Sequence, residues 1–152
     1  MRVFELGHVV LYVTNLSKVA GFYRDILGFA EVTRDRGSAM FSSGRTHHEL
    51  LLIEIGGAAP EGPRRVAPGL YHIGFKVGNT DDELRAAYRD LLVAGVQIVG
   101  SADHGVTHSL YILDPDGNEL ELYVDVSDAW KLDPKAVAAP VRALPRDFFG
   151  QD

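Results

Sequence analysis

The stretch Leu70-Tyr71-His72-Ile73-Gly74-Phe75-Lys76-Val77 repeats Leu6-Gly7-His8-Val9-Val10-Leu11-Tyr12-Val13, with leucine, histidine, a β-branched residue and valine in the same places. Both copies are rich in β-branched and aromatic residues and predict strands. The segments C-terminal to the two copies match as well. After the first, Asn15 and Ser17 are candidate helix caps, and Leu16, Val19, Tyr23, Ile26 and Leu27 recur at helical spacing until Gly28. After the second, Thr80 and Glu83 make a capping box ahead of Leu84, Tyr88, Leu91 and Leu92, with Gly95 as the stop. Tyr23-Arg24-Asp25-Ile26-Leu27 is echoed by Tyr88-Arg89-Asp90-Leu91-Leu92 at nearly the same offset. Three strands are expected after each helix, near Ala30–Arg34, Ser38–Ser42 and His48–Ile55, then near Gln97–Gly100, His108–Leu113 and Glu119–Val124. The pattern predicts an α+β fold of tandem βαβββ units.

Composition sets the boundaries around the two copies. The first unit is expected over 1–56, a linker broken by proline and glycine over 57–69, the second unit over 70–126, and a tail over 127–152. In the tail, Asp133 before Pro134 predicts a short helix through Ala139. Trp130 and Phe148-Phe149 suggest packing on the domain or on a partner subunit, a disordered tail being the alternative. In the second unit, Asp114-Pro115-Asp116-Gly117-Asn118 reads as the turn of a hairpin, with Pro115 presetting φ and Gly117 supplying a positive one.

With one helix for each four strands, the uncovered face is expected to curve as a mixed sheet around something. Period-2 alternation puts Val9, Leu11, Val13, Leu51, Ile53, Ile55, Ile73, Phe75, Val77, Leu120, Leu122 and Val124 on the apolar face. The opposite face then carries His8, His48, Glu54, His72, Tyr111 and Glu121. That is where chemistry is expected.

Composition narrows the chemistry. The chain of 152 residues is 46% hydrophobic, enough for one compact domain or two fused half-domains. A net charge of −6 offers no basic field to a phosphate backbone, so nucleic acid is not an expected partner. No apolar run is long enough to span a membrane, and Met1-Arg2-Val3-Phe4-Glu5 has no signal-peptide core, so the expected location is the cytosol. With no cysteine, any metal is held by histidine and carboxylate. Of the six histidines, His8 and His72 open the two repeats, and Glu121 lies on the last strand. Together they make a 2-His-1-carboxylate set of the kind that leaves metal positions open for substrate and oxygen. A strand histidine taken singly is more often a satisfied core or rim group; the repeat is what raises this pair. His47 and His48, as neighbours on a strand, are expected to point to opposite faces, and His47 and His108 are read as surface residues.

The two βαβββ units, the histidine opening each, and Asp114-Pro115-Asp116-Gly117-Asn118 followed by Glu121 resemble the vicinal oxygen chelate superfamily of glyoxalases, extradiol dioxygenases and bleomycin-resistance proteins. The resemblance covers residues about 4 to 125. It implies His8, His72 and Glu121 as metal ligands. The segment His47-His48-Glu49-Leu50 resembles the one that carries the acid–base histidine of one-domain type I extradiol dioxygenases, with His48 in that place. Tyr111 matches their active-site tyrosine, and His104-Gly105-Val106 resembles a supporting histidine segment whose gap to Tyr111 is shorter here.

The resemblance thus implies an Fe(II)-dependent extradiol dioxygenase acting on a catechol-type aromatic with O2, in a homo-oligomer, with Mn(II), Zn(II), Ni(II) or Co(II) as alternative metals. His48 would exchange protons with the substrate, Tyr111 would hydrogen-bond its oxygens, and His104 would support that network. Tyr111 as a core-edge tyrosine and His104 as a plain loop residue are the alternatives. Two other functions stay open. If Glu54 is a fourth ligand, the site suits a glyoxalase- or epimerase-type lyase or isomerase. A bleomycin-resistance-like protein would merely sequester a ligand.

Overall fold

The computed structural model describes residues 1–59 and 68–150, so most of the expected linker lies outside the described residues. These residues fall into two compact units, one of residues 1–59 with Asp114–Gly117, the other of residues 68–113 and 118–150.

In the first unit the order is β1 (Val9–Val13), α1 (Leu16–Gly21), which continues as a π-helical turn over Phe22–Ile26, then β2 (Ala30–Asp35), β3 (Ser38–Ser42) and β4 (Leu50–Glu54). In the second it is β5 (His72–Gly78), α2 (Asp81–Val93), β6 (Ile98–Asp103), β7 (Thr107–Leu113) and β8 (Glu119–Asp125). The fold is α+β with the repeated βαβββ order. Each unit forms its own four-stranded mixed sheet, ordered β1-β4-β3-β2 and β5-β8-β7-β6. In each, the first and last strands pair in parallel and the rest are antiparallel.

Local chemistry fixes the helices. The Asn15 side chain accepts from the Lys18 amide at 2.8 Å, which makes Asn15 the cap of α1. At α2, Thr80 Oγ1 accepts from the Glu83 amide at 3.3 Å, while Glu83 Oε2 reaches back to accept from the Asn79 amide at 2.7 Å. Gly78 makes room for that return, since a Cβ there would stand 2.6 Å from the Cβ of Glu83. Gly28 and Gly95 end the two helices with φ of 75° and 67°, values that favour glycine.

The core of the first unit packs α1 and its π-helical turn against one sheet face: Val13, Val19, Tyr23, Phe41, Leu50 and Leu52 are all buried. This reverses the expectation for β4. Val9, Leu11 and Val13 pair with Leu50, Leu52 and Glu54, and directly paired residues share a face. Leu51, Ile53 and Ile55 therefore lie on the face away from the helix, where Ile55 is 66% exposed. The run Leu50-Leu51-Leu52-Ile53 is apolar at every position, so alternation cannot tell its faces apart.

The turn between β7 and β8 is counted with the first unit because of what its carboxylates do. Asp116 accepts from the Thr14 amide at 2.7 Å and from the Thr14 hydroxyl at 2.6 Å. Asp114 accepts from the Tyr23 hydroxyl at 3.1 Å and from the Asp116 amide at 2.9 Å. Both aspartates are buried, a placement that is costly without such partners.

In the second unit α2 buries Leu84 and Leu91 against Leu110, Ile112, Leu120, Leu122 and Val124. The described part of the tail, 127–150, packs here. Asp103 and Arg142 exchange backbone hydrogen bonds at 2.8 and 2.9 Å, and Phe148 is buried with its carbonyl accepting from Arg85 Nε at 2.8 Å. Asp133 caps a short 3-10 helix over Pro134–Ala138, as expected from the Asp-Pro pair. Among the described residues no helix is long and apolar enough to cross a membrane.

Candidate metal centre

Strand register sets the site in the second unit. Tyr111 on β7 pairs with Glu121 on β8, which pairs with Gly74 on β5; on the far side Tyr111 pairs with Gly100 on β6. The row across the sheet thus reads Gly74, Glu121, Tyr111, Gly100. Two functional side chains lie between two glycines, and over Gly74 the Tyr123 ring and Glu121 Oε2 come to 3.5 and 3.6 Å of where a Cβ would stand. One row away His72 pairs with Glu119, so His72 and Glu121 are diagonal neighbours on the same face.

The side chains form a connected set. His72 Nε2 stands 3.1 Å from Glu121 Oε2. The other carboxylate oxygen, Oε1, accepts from the Tyr111 hydroxyl at 3.1 Å. Tyr111 has one proton to give, so at the 2.7 Å contact with His104 Nε2 the imidazole donates to the phenol oxygen. Burial and the negative charge of Glu121 hold the Tyr111 hydroxyl well above the ordinary tyrosine range.

Behind His72, Nδ1 faces Glu119 Oε1 at 3.5 Å, and both atoms are buried with no hydrogen-bond partner among the described residues. Glu119 also bonds the Tyr71 hydroxyl, whose pKa that bond raises. Sequence reasoning missed Glu119 as part of the site. The signal was present, since Glu119 shares the alternation of Glu121.

In the first unit His8 precedes β1 and is exposed, and its ring lies 4.7 Å from that of His48. His48 precedes β4 rather than lying within it, so strand alternation does not apply to the two neighbours. Instead of pointing to opposite faces, His47 and His48 bring their Nδ1 atoms to 2.6 Å. Partial burial, then the adjoining His47 and His8, push the His48 pKa down. His108 is less exposed than expected: it bonds Asp81 at 2.7 Å and meets the Phe148 ring edge-on at 5.4 Å, tying β7 to α2 and the tail.

Glu54 has other work. It lies on the helix side of β4, and its Oε2 accepts from the Leu16 amide at 2.6 Å, closing the first turn of α1.

Two donor atoms held about 2.1 Å from one ion at roughly 90° are about 3 Å apart. The 3.1 Å between His72 Nε2 and Glu121 Oε2 fits adjacent positions on a divalent metal. With its Nδ1 turned to Glu119, His72 has Nε2 free to ligate. Among the described residues no group of three His, Asp or Glu side chains converges tightly enough to hold an ion.

Against known proteins, residues 5–122 match the family described as Glyoxalase/Bleomycin resistance protein/Dioxygenase superfamily. A catechol-2,3-dioxygenase of Bacillus subtilis is 33% identical over 122 residues, covering 80% of this chain and 41% of its own length. A biphenyl-2,3-diol 1,2-dioxygenase of Rhodococcus globerulus is 34% identical, covering 80% of this chain and 63% of its own. The chain thus spans about half the length of these two relatives. A fosfomycin resistance protein of Listeria monocytogenes, solved with Mn(II), superposes with a TM-score of 0.67 at 20% identity, covering 88% of this chain and 98% of that one. At that identity the likeness is one of fold.

Proposed function

The chain belongs to the glyoxalase/bleomycin resistance/dioxygenase superfamily, and from that premise we propose that it is an Fe(II)-dependent extradiol dioxygenase acting on a catechol-type aromatic. Members of the superfamily bind divalent metals, and their activities differ, so the choice rests on this chain's own residues. The observation that carries it is the use of Glu121 and Glu54. Glu121 presents one oxygen beside His72 Nε2 while Tyr111 and His104 hold the other; Glu54 is spent on the Leu16 amide. A four-ligand lyase site would need Glu54 on the other face of β4, not on the helix side where it caps α1. The dioxygenase relatives at 33% and 34% identity support the same choice.

We assign His72, Glu121 and His8 as metal ligands. The iron, when bound, supplies oxygen activation and chelation of the two catechol oxygens. The protein residues do the rest. His48, whose pKa partial burial and the adjoining His47 and His8 push down, takes a proton from the catechol and returns it later. Tyr111, whose one hydroxyl proton bonds Glu121 in this structure, would turn it to a substrate oxygen as charge develops there. His104 fixes the orientation of that hydroxyl.

The test is anaerobic loading with Fe(II), then admission of air with catechol or 2,3-dihydroxybiphenyl. Oxygen uptake should match substrate loss and the rise of a ring-cleaved product. His48→Ala should bind iron with little turnover. Iron held firmly with no oxygen consumption across several catechols overturns the reading, and hemithioacetal and epimerase assays are then the next step.

A further inference from the structure

Within the second unit a cleft of about 260 Å³ runs along the face of β8 from Glu121 past Tyr123 to Asp125, walled by Val106 and by Trp130 and Val137 of the tail. The tail is thus part of a site wall. We propose that this cleft holds the ring substituent of the substrate and selects neutral, apolar-substituted catechols over carboxylated ones. The inference rests on the dioxygenase reading for the chemistry, but its preference can be read without turnover.

Three observations carry it. The cleft begins at Glu121, so a catechol chelated beside that carboxylate has its substituent directed along the same strand face. Its volume lies just under the roughly 300–1,000 Å³ of pockets that enclose drug-sized ligands, room for about one further ring or a short alkyl chain. Its lining mixes apolar Val106, Trp130 and Val137 with polar Thr107 and Tyr123, and its charged residues, Glu121 and Asp125, are both acidic, with no lysine or arginine among the described lining residues.

Two cations nearby are already engaged. Lys76 Nζ pairs with Asp125 at 2.5 Å. Lys131 Nζ, 5.8 Å above the Trp130 ring, pairs with Asp128 at 2.8 Å. A substrate carboxylate entering here would meet Asp125, whose neighbouring Lys76 is already paired, while a phenyl or alkyl group meets Trp130, Val106 and Val137.

Trp130 is the single tryptophan of the chain, so its emission reports on this wall alone. Titrating the Fe(II)-loaded protein without oxygen, 2,3-dihydroxybiphenyl should quench Trp130 saturably, after correction against free tryptophan. The carboxylated 3,4-dihydroxyphenylacetate should need on the order of ten times the concentration. In air, Trp130→Ala should lower kcat/KM about tenfold more for 2,3-dihydroxybiphenyl than for unsubstituted catechol. Asp125→Asn, which releases Lys76, should raise the affinity for 3,4-dihydroxyphenylacetate about fivefold.

Oxygen uptake with equal affinity for both probes, unchanged by Asp125→Asn, overturns the cleft while leaving the dioxygenase reading intact. Selective quenching by the neutral probe with no oxygen uptake supports the cleft and overturns the dioxygenase reading instead.

Discussion

Glu119 and Glu121 stand two residues apart on one strand face, and their neighbours divide the work between them. Glu121 lies between His72 on one side and Tyr111 on the other, the place proposed for a metal. Glu119 backs His72, its Oε1 standing 3.5 Å from Nδ1 with no hydrogen bond to either atom among the described residues, and it also bonds the Tyr71 hydroxyl. A carboxylate behind a ligating histidine fixes its tautomer and raises its basicity. Glu119→Leu should therefore weaken metal binding by about 10–100-fold, measured by competition with a chelator, and the His72 ring nitrogens should report a mixed tautomer by NMR. Tyr111→Phe keeps the ring and loses the donor. It should retain its metal and lose on the order of 100-fold in kcat; retention of full turnover would remove Tyr111 from the reaction.

At the level of secondary structure, α1 depends on two side chains at its start. Asn15 caps from within the loop, and Glu54 caps from the end of β4, binding strand and helix together. Losing one charge-assisted bond to a helix N-terminus costs about 1–2 kcal/mol. Glu54→Ala should lower the midpoint of thermal unfolding by a few degrees, about 2–8 °C for a domain of this size, and leave metal content unchanged. Loss of the metal in that variant would restore Glu54 as a ligand and with it the lyase or isomerase reading. The same strand shows why Glu54 was misplaced in the sequence. Four consecutive apolar residues, Leu50 to Ile53, carry no alternation, and only the pairing of Val13 with Glu54 fixes its side.

Across the whole fold, Tyr23 is one of the tyrosines, with Tyr71, Tyr111 and Tyr123, whose raised hydroxyls should cost stability at high pH. Burial, and then the charge of Asp114, hold the Tyr23 hydroxyl well above the ordinary range near 10. Below that pH both folded and unfolded chains keep the proton, and this group adds no pH dependence. Above it the unfolded chain releases a proton that the folded chain retains, so stability falls by up to about 1.4 kcal/mol per pH unit. Denaturant unfolding between pH 9 and 11 should show that slope in the wild type and a shallower one in Tyr23→Phe. An identical slope in both would assign the alkaline loss to other groups.

The repeat, the βαβββ order, the caps at Asn15 and Thr80, the hairpin around Gly117 and the family were all legible in the amino-acid sequence, because each is written in residues close together. Alternation and capping act over two to four positions, and the pairing of Tyr111 with Glu121 comes from a tight turn between adjacent strands. Long-range packing settled the rest. It turned Glu54 to the helix, put His47 and His48 side by side before their strand, gave Asp114 and Asp116 to Tyr23 and Thr14, and laid Trp130 along the cleft beside Glu121. The physical reason is distance along the chain. Tyr23 and Asp114 are 91 residues apart and Thr14 and Asp116 are 102, and no local period carries information over such a span.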